Sequence, residues 1–176
     1  MALVESVSRW PADLRQRRIA ALVASACALA LVAAAVALTE WLQLNPCPLC
    51  IFQRVLDLAL AALLFAAAAL IASRAARWAL AAALLVASGG IAVAAYQSWI
   101  QISPPQLSCG PAAQGLIERL VAWLGEQLPL LFLATGSCDS TELAILGLSL
   151  ANWSLVAYLA FAAVIALLLR AQRRAA

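Results

Sequence analysis

The chain has 176 residues, of which 66% are hydrophobic and 11% are charged, and its mean hydropathy is +0.99. Soluble domains carry roughly a quarter charged residues, so this composition excludes a soluble domain and indicates an integral membrane protein. The formal net charge is +3, and the arginines behind it flank apolar segments, which argues against a nucleic-acid-binding surface.

Four apolar segments reach the length that a membrane-spanning helix needs. A bilayer core of about 30 Å takes roughly 20 apolar residues per helix, and the qualifying segments are residues 19–38, 51–72, 78–100 and 153–169. We therefore predict an all-α membrane protein in which residues 1–176 form one domain, a bundle of four transmembrane helices. The loops on the outer side of the membrane would cover about residues 39–50 and 101–152.

The first apolar segment has an alternative interpretation as a cleaved secretion signal. Ala35-Val36-Ala37 has the small residues of a cleavage site. The apolar core of the segment is nevertheless longer than the roughly 7–15 residues usual in such signals. We therefore expect a retained transmembrane helix.

The basic residues predict how the helices are oriented. All eleven are arginines, and two of them, Arg54 and Arg119, fall on the opposite side of the membrane from the rest. The others precede the first helix, separate the second from the third, or follow the fourth: Arg9, Arg15, Arg17, Arg18, Arg74, Arg77, Arg170, Arg173 and Arg174. Because loops rich in arginine stay in the cytoplasm, both termini are predicted to be cytoplasmic.

The long outer loop contains a helical pattern of its own. In residues 112–128 apolar side chains recur at helical spacing among three charged residues. This pattern predicts a short amphipathic helix on the outer membrane surface. A fifth spanning helix here would bury those charges and Pro129, and it would move the C-terminal arginines outside. Asn152 is the predicted cap of the last helix.

Five cysteines divide between the outer loops and the membrane. Cys47, Cys50, Cys109 and Cys138 lie in the outer loops, whereas Cys27 lies midway down the first helix and is predicted to be a small packing residue. An even number of cysteines on an oxidising side suits two structural disulfides, and this interpretation stays open. Zinc binding is disfavoured because Cys109 and Cys138 are 29 positions apart and the chain has no histidine, so no metal is predicted.

The Cys47-Pro48-Leu49-Cys50 sequence suits redox chemistry better than cross-linking. A disulfide between Cys47 and Cys50 closes too small a loop to constrain much chain entropy. Pro48 favours the first position of a helix, which makes Cys47 the cap residue and places Cys50 among the unpaired amides of the first turn. Arg54 follows one turn later on the same face. Both features favour the reactive thiolate form of Cys50.

These residues resemble the DsbB family of bacterial inner-membrane proteins for disulfide bond formation. The matching sequence is Pro46-Cys47-Pro48-Leu49-Cys50-Ile51-Phe52-Gln53-Arg54 at the start of helix two, then Ser108-Cys109-Gly110-Pro111 and Gly136-Ser137-Cys138 in the long loop. The segments Leu146-Gly147-Leu148-Ser149 and Trp153-Ser154-Leu155 also resemble the family's entry into helix four. The likeness covers nearly the whole chain.

The resemblance implies a function and its partners. DsbB proteins reoxidise a periplasmic thioredoxin-fold thiol oxidase of the DsbA type and use membrane quinone, either ubiquinone or menaquinone, as the electron acceptor. The resemblance therefore implies a protein of the bacterial inner membrane whose active site faces the periplasm. Its partners would be the oxidase, the quinone pool and the bilayer, and no nucleic acid.

The resemblance also implies a role for each site residue. Cys47 and Cys50 would be the pair next to quinone, with Cys50 in contact with it. Cys109 and Cys138 would be the pair facing the oxidase, with Cys109 attacked by it. Arg54 would orient the quinone. The chain departs from some members by lacking a histidine near the outer end of helix three, where Tyr96-Gln97-Ser98-Trp99 stands.

Three alternatives stay open on the sequence alone. A quinone reductase of the vitamin K epoxide reductase type is disfavoured because that family places its CxxC late in the bundle, whereas here it opens helix two. A structural membrane protein with bridged loops is an alternative from a different class. Arg54 could be an interfacial anchor paired with Asp57 at i+3.

Overall fold

The computed structural model describes residues 13–102, 115–138 and 143–174 of the chain. The elements in chain order are α1 (Leu14–Leu42), α2 (Pro48–Ala69), α3 (Ala75–Ile102), α4 (Leu116–Gln127), α5 (Pro129–Phe132), β1 (Ala144–Ile145), β2 (Leu148–Ser149) and α6 (Leu150–Arg174). In these described ranges α1, α2, α3 and α6 are long and apolar enough to cross a membrane. The prediction of an all-α bundle with four transmembrane helices is confirmed.

The spanning helices differ in their bounds from the apolar segments that predicted them. α1, α3 and α6 extend beyond both ends of their segments, because a helix continues through polar interfacial residues that an apolar pattern leaves out. Asp13, for example, caps α1 by accepting the Gln16 amide at 3.0 Å. α2 starts at Pro48, three residues before its apolar segment, as the predicted Cys47 cap requires, and it ends three residues before the end of that segment, at Ala69. Residues 43–47 connect α1 to α2. The outer side of the membrane for about residues 39–50 stays a prediction.

The four spanning helices form an open ring. Each packs mainly against the next in the order α1, α2, α3 and α6. Alanines supply much of this contact surface, and Ala28, Ala67 and Ala87 have no exposed area at all. Small side chains let helix backbones approach closely in a membrane, where packing drives association. α1 and α6 contact each other only sparsely, so an opening is left between them.

Gly90 allows the Tyr158 ring of α6 to pack against the backbone of α3. A Cβ atom at position 90 would lie 2.6 Å from Cζ of the Tyr158 ring, a distance that real Cβ contacts do not show. Tyr158 is buried, and its hydroxyl donates to the backbone carbonyl of Gln53 on α2 at 3.0 Å. This contact joins three of the four spanning helices.

The second outer loop packs on the start of α2. Val121 of α4 and Phe132 of α5 are buried with Ile51, whereas Leu116 and Trp123 of α4 are exposed. The short amphipathic helix predicted within residues 112–128 is therefore present. Its placement on the membrane surface stays a prediction.

A two-stranded hairpin leads directly into α6. β1 and β2 pair antiparallel, and the turn between them uses positive φ angles at Leu146 (53°) and Gly147 (79°). The prediction that Asn152 caps the last helix is wrong, because α6 begins two residues earlier. The Asn152 amide instead donates to Oγ of Ser149 at 3.4 Å, so the end of the hairpin supplies the cap.

Cys27 faces away from the helix bundle. Its side chain is exposed on α1, so the prediction that it is a packing residue is wrong. The packed stripe of α1 consists of small residues such as Ala21, Ala24 and Ser25. The size of a side chain on α1 therefore does not show whether it faces the bundle or faces outward.

Candidate functional site

The CxxC sequence forms the start of α2 as predicted. Cys47 is the cap residue, with extended backbone angles (φ −80°, ψ 163°), and its Sγ accepts the Cys50 amide at 3.3 Å. Pro48 occupies the first helical position, where an N–H would have no helical partner. The two Sγ atoms lie 2.8 Å apart. The pair is therefore placed for thiol–disulfide exchange.

Two buried glutamines border the two thiols. The Nε2 atom of Gln97 on α3 donates to Sγ of Cys50 at 2.9 Å and to Sγ of Cys47 at 3.4 Å. The Nε2 atom of Gln53 on α2 in turn donates to Oε1 of Gln97 at 2.8 Å. Because both glutamines are buried, these bonds form away from solvent, where electrostatic interactions are stronger.

Cys138 lies beside Cys47 although the two are far apart in sequence. Both are buried, and they share a cluster with Leu49 and Ile100. Hydrogen bonding with Cys138 is the largest of the effects that raise the pKa of the Cys47 thiol, followed by hydrogen bonding with Cys50 and burial. Cys47 therefore holds its proton when the three cysteines are reduced.

The segment before Cys138 is fixed to the connection between α1 and α2. The carbonyl of Pro46 accepts the amides of Thr135 at 3.0 Å and Gly136 at 3.1 Å. A Cβ atom at position 136 would lie 2.8 Å from the carbonyl carbon of Asn45, so the approach requires glycine. These contacts bring the end of the second outer loop to the cap of α2.

Arg54 is a buried cation whose hydrogen-bond acceptors are all neutral. It is 6% exposed, and it donates to the carbonyls of Leu131 at 3.0 Å and Ala35 at 3.2 Å and to Oγ1 of Thr39. Its charge interacts with Cys50 and with Glu40. In the described part of the chain it forms no ion pair. Its positive charge is therefore available to a further group.

The pairing of Arg54 with Asp57 that their spacing allows is not formed. The Asp57 carboxyl interacts with the Tyr158 hydroxyl instead. Arg54 donates to carbonyls of α1 and α5. The acceptors Ala35 and Thr39 also make α1 part of the site.

A cavity of about 380 Å³ lies beside Cys50 and Arg54. Apolar side chains from α1 and α6 form two of its walls, and α2 contributes the polar groups Cys50, Arg54 and Asp57. The cavity is thus located where α1 and α6 leave the ring open. Its size is within the range of small-molecule sites.

Comparison with known proteins identifies the chain's relatives. The family described as Disulfide bond formation protein DsbB matches residues 16–168. The chain belongs to the DsbB family. A DsbB relative from Dechloromonas aromatica (strain RCB), named Disulfide bond formation protein B, is 45% identical over 148 residues, which are 84% of this chain and 88% of the relative.

Two further DsbB relatives cover even more of the chain. The protein of the same name from Acidovorax sp. (strain JS42) is 38% identical over 160 residues, 89% of each chain. That from Paracidovorax citrulli (strain AAC00-1) is 36% identical over 173 residues, 96% of this chain and 95% of the relative. As a DsbB family member, the chain is a multi-pass membrane protein with disulfide oxidoreductase activity and a role in disulfide bond formation.

The structure brings together four of the five residues predicted for the DsbB site. Cys47, Cys50, Cys138 and Arg54 lie in one region, whereas Cys109 lies outside the described residues. The sequence analysis gave no role to Gln53, Gln97 or Gly136. Polar residues inside apolar helices are a recognised sign of function, and this signal could have identified both glutamines.

Proposed function

We propose that this protein reoxidises a periplasmic thiol oxidase of the DsbA type and passes the electrons to membrane quinone. It would do so in the bacterial inner membrane, with its site on the periplasmic side. The observation that carries the proposal is the continuous path of groups from Cys138 through Cys47 and Cys50 to the cavity wall formed by Arg54.

The cavity suits a quinone ring and its tail. Its walls are largely apolar, and Arg54 can donate a charge-assisted hydrogen bond to a carbonyl oxygen because its present acceptors are neutral. Cys50 lies on the same wall, and the opening between α1 and α6 leads to the lipid. Arg54 and Cys50 are thus the residues that would hold the ring. Quinone, when bound, supplies an acceptor for two electrons and two protons.

The chemistry begins with exchange between the oxidase and the bridge that the family pattern assigns to Cys109 and Cys138. A thiolate of the reduced oxidase attacks Sγ of Cys109, forming a mixed disulfide and releasing Cys138 as a thiolate. Cys138 then attacks Sγ of Cys47. The bond between Cys47 and Cys50 breaks, the bond between Cys47 and Cys138 forms, and the electron pair moves to Sγ of Cys50.

The remaining exchanges restore the disulfide between Cys109 and Cys138. The second oxidase thiol attacks the mixed disulfide, so the oxidase leaves with its disulfide and Cys109 is released as a thiolate. Cys109 attacks Cys138, which restores their bridge and releases Cys47. Cys47 and Cys50 now hold the two electrons. Loss of these electrons restores the disulfide between Cys47 and Cys50. Arg54 stabilises negative charge that develops in the cavity, as a preorganised electrostatic donor does.

The proposal is tested by mixing the full-length protein in lipid discs with a reduced thioredoxin-fold oxidase and a ubiquinone analogue without oxygen. Loss of oxidase thiols is counted by alkylation with a mass tag, and quinol is measured by absorbance. We expect one quinol for each oxidase disulfide in the parent protein, and in Cys47→Ser no quinol and no oxidase disulfides beyond the one that exchange with the Cys109–Cys138 bridge yields. Oxidation of the oxidase without quinol formation, or at an equal rate in Cys47→Ser, would overturn the proposal.

A further inference from the structure

We propose that Gln97 is a catalytic hydrogen-bond donor that makes Cys50 the sulfur released when the Cys47–Cys50 disulfide opens, and that Gln53 holds the Gln97 amide in its donating orientation. The inference rests on the proposed function, because it assigns a direction to one exchange in that relay. It concerns a group that the CxxC sequence itself does not contain.

The geometry of the Gln97 amide distinguishes the two sulfurs. Its Nε2 atom lies 2.9 Å from Sγ of Cys50 and 3.4 Å from Sγ of Cys47. A hydrogen bond to an ionised acceptor is stronger than one to a neutral acceptor, so the donor gains most when Cys50 carries negative charge. The closer sulfur is therefore the better leaving group.

Gln53 determines which end of the Gln97 amide faces the thiols. Its Nε2 donates to Oε1 of Gln97 at 2.8 Å, which leaves the NH₂ group of Gln97 directed at the sulfurs. Gln53 is itself fixed, because it is 5% exposed and its backbone carbonyl accepts the Tyr158 hydroxyl. An amide carries no titratable proton, so this donation does not depend on pH. Gln97 therefore acts as a fixed dipole.

The exchange that Gln97 biases is balanced in atoms and electrons. The Cys138 thiolate attacks Sγ of Cys47, a bond forms between these two sulfurs, and the bond between Cys47 and Cys50 breaks. The electron pair of the broken bond moves to Sγ of Cys50, next to the Gln97 donor. No proton or outside oxidant is needed. The negative charge passes from Cys138 to Cys50.

The test measures this exchange without quinone and without an oxidase. In a full-length Cys27→Ala/Cys109→Ala protein, the thiols of Cys47, Cys50 and Cys138 remain, and one disulfide among them leaves one thiol free. The protein is oxidised to one disulfide, equilibrated in lipid discs, quenched with acid and alkylated. Mass spectrometry of the peptides then gives the ratio of the Cys47–Cys138 isomer to the Cys47–Cys50 isomer.

We expect Gln97→Met, which keeps the volume and removes the donor, to lower this ratio roughly ten- to a hundredfold. Gln53→Glu should lower it as well, although the Gln53 side chain donates to Gln97 and not to a sulfur. The carboxylate would draw the NH₂ group of Gln97 toward itself and turn its carbonyl toward the thiols. Gln172→Met is the matched control, since Gln172 is a buried glutamine that donates to the Ile71 carbonyl at 2.7 Å. Its ratio should be unchanged.

The outcomes separate this inference from the proposed function. A ratio in folded Gln97→Met and Gln53→Glu equal to that of the parent protein overturns the catalytic role of Gln97, and the relay is unaffected. A ratio that falls equally in Gln172→Met also overturns it, because the effect would then be one of general stability. A parent protein that forms no Cys47–Cys138 isomer at all contradicts the relay itself, and the inference with it.

Discussion

Arg54 illustrates how a buried residue can be fixed in place and still have an unused charge. Its hydrogen bonds to Ala35, Thr39 and Leu131 hold the guanidinium between α1, α2 and the outer loop. None of these acceptors is ionised. A cation whose hydrogen-bond acceptors are all neutral, in a low-dielectric site, interacts strongly with an anion that enters the site.

Replacing Arg54 should therefore affect quinone kinetics more than folding. Arg54→Lys keeps a charge but loses the planar set of donors, so we expect partial activity with a raised apparent KM for quinone. Arg54→Met should lose far more, because one charge-assisted hydrogen bond contributes about 1.5–3 kcal/mol, or roughly ten- to over a hundredfold in kcat/KM. Steady-state kinetics over a series of quinone concentrations measure both effects.

Arg119→Met provides the control for this prediction. Arg119 is exposed on α4 and is predicted to lie on the same side of the membrane as Arg54. The substitution therefore removes the same charge at a position away from the cavity. We expect its quinone kinetics to match those of the parent protein. An unchanged kcat/KM in folded Arg54→Met would instead favour the role of an interfacial anchor.

Residues differ in how far the sequence predicts their roles. The cap position of Cys47 follows from its neighbour Pro48, because helix starts obey local rules. The contact of Gln97 with the thiols depends on how α3 is aligned along α2, and the contact of Cys138 depends on which loop meets the α2 cap. Neither alignment is encoded by a local pattern, so the structure was needed to find them.

At the scale of elements, the end of the second outer loop and the start of α2 act as one unit. Gly136 determines their distance, because any Cβ at that position would collide with the backbone of Asn45. The apolar pattern predicted the helices on either side of this contact. It did not predict their ends, which depend on capping by Asp13, Cys47 and Ser149.

Gly136→Ala should separate Cys138 from Cys47 without changing the contact between Cys47 and Cys50. We expect the Cys47–Cys138 isomer to become at least severalfold rarer in the thiol-trapping assay, while quinone still oxidises Cys47 and Cys50 at the normal rate. Gly115→Ala is the control, since a Cβ there meets only the flexible carboxylate of Glu118. If Gly136→Ala retained the parent isomer ratio, this contact would not position Cys138.

Substitutions of Cys109 and of Cys138 should change the covalent complex with the oxidase in different ways. Cys109→Ser is expected to prevent a covalent complex with the oxidase, because the sulfur that the oxidase attacks is gone. In Cys138→Ala, Cys109 is a free thiol, so the complex forms when the Cys109 thiolate attacks the disulfide of an oxidised oxidase and displaces one oxidase thiolate. This complex should persist longer because Cys138 is no longer present to attack Cys109 and release the oxidase. Non-reducing gels after acid quenching measure both complexes. An adduct in Cys109→Ser at the parent level would reverse the assignment.

At the scale of the whole molecule, the open ring of helices explains both stability and access. α3 packs tightly between α2 and α6, whereas the sparse contact of α1 with α6 leaves the cavity beside Cys50 and Arg54. Length and hydropathy predicted the number of spanning helices because the bilayer imposes both. They could not predict the order of packing, which depends on close contacts such as that of Gly90 with Tyr158.

The two adjacent glycines of α3 allow a direct test of this packing. Gly90→Ala should destabilise the fold by about 1–3 kcal/mol, the usual cost of overpacking, because its Cβ would collide with the Tyr158 ring. Gly89→Ala should be tolerated, since nothing lies within 4 Å of a Cβ at that position. Thermal unfolding in detergent compares the two, and equal melting temperatures would refute the packing argument.

The central claim is that the Cys47–Cys50 pair delivers its electrons to quinone through Cys50. It is tested most directly by a single turnover in Cys109→Ser/Cys138→Ser, which removes both outer thiols from the relay. The reduced protein is mixed with one equivalent of a ubiquinone analogue without oxygen, and quinol and free thiols are counted together. The account predicts one quinol formed and two thiols lost per protein, and no reaction when Cys50→Ser is added. Quinol formation at the same rate in the Cys50→Ser protein, or thiols that stay reduced beside quinone, would contradict it.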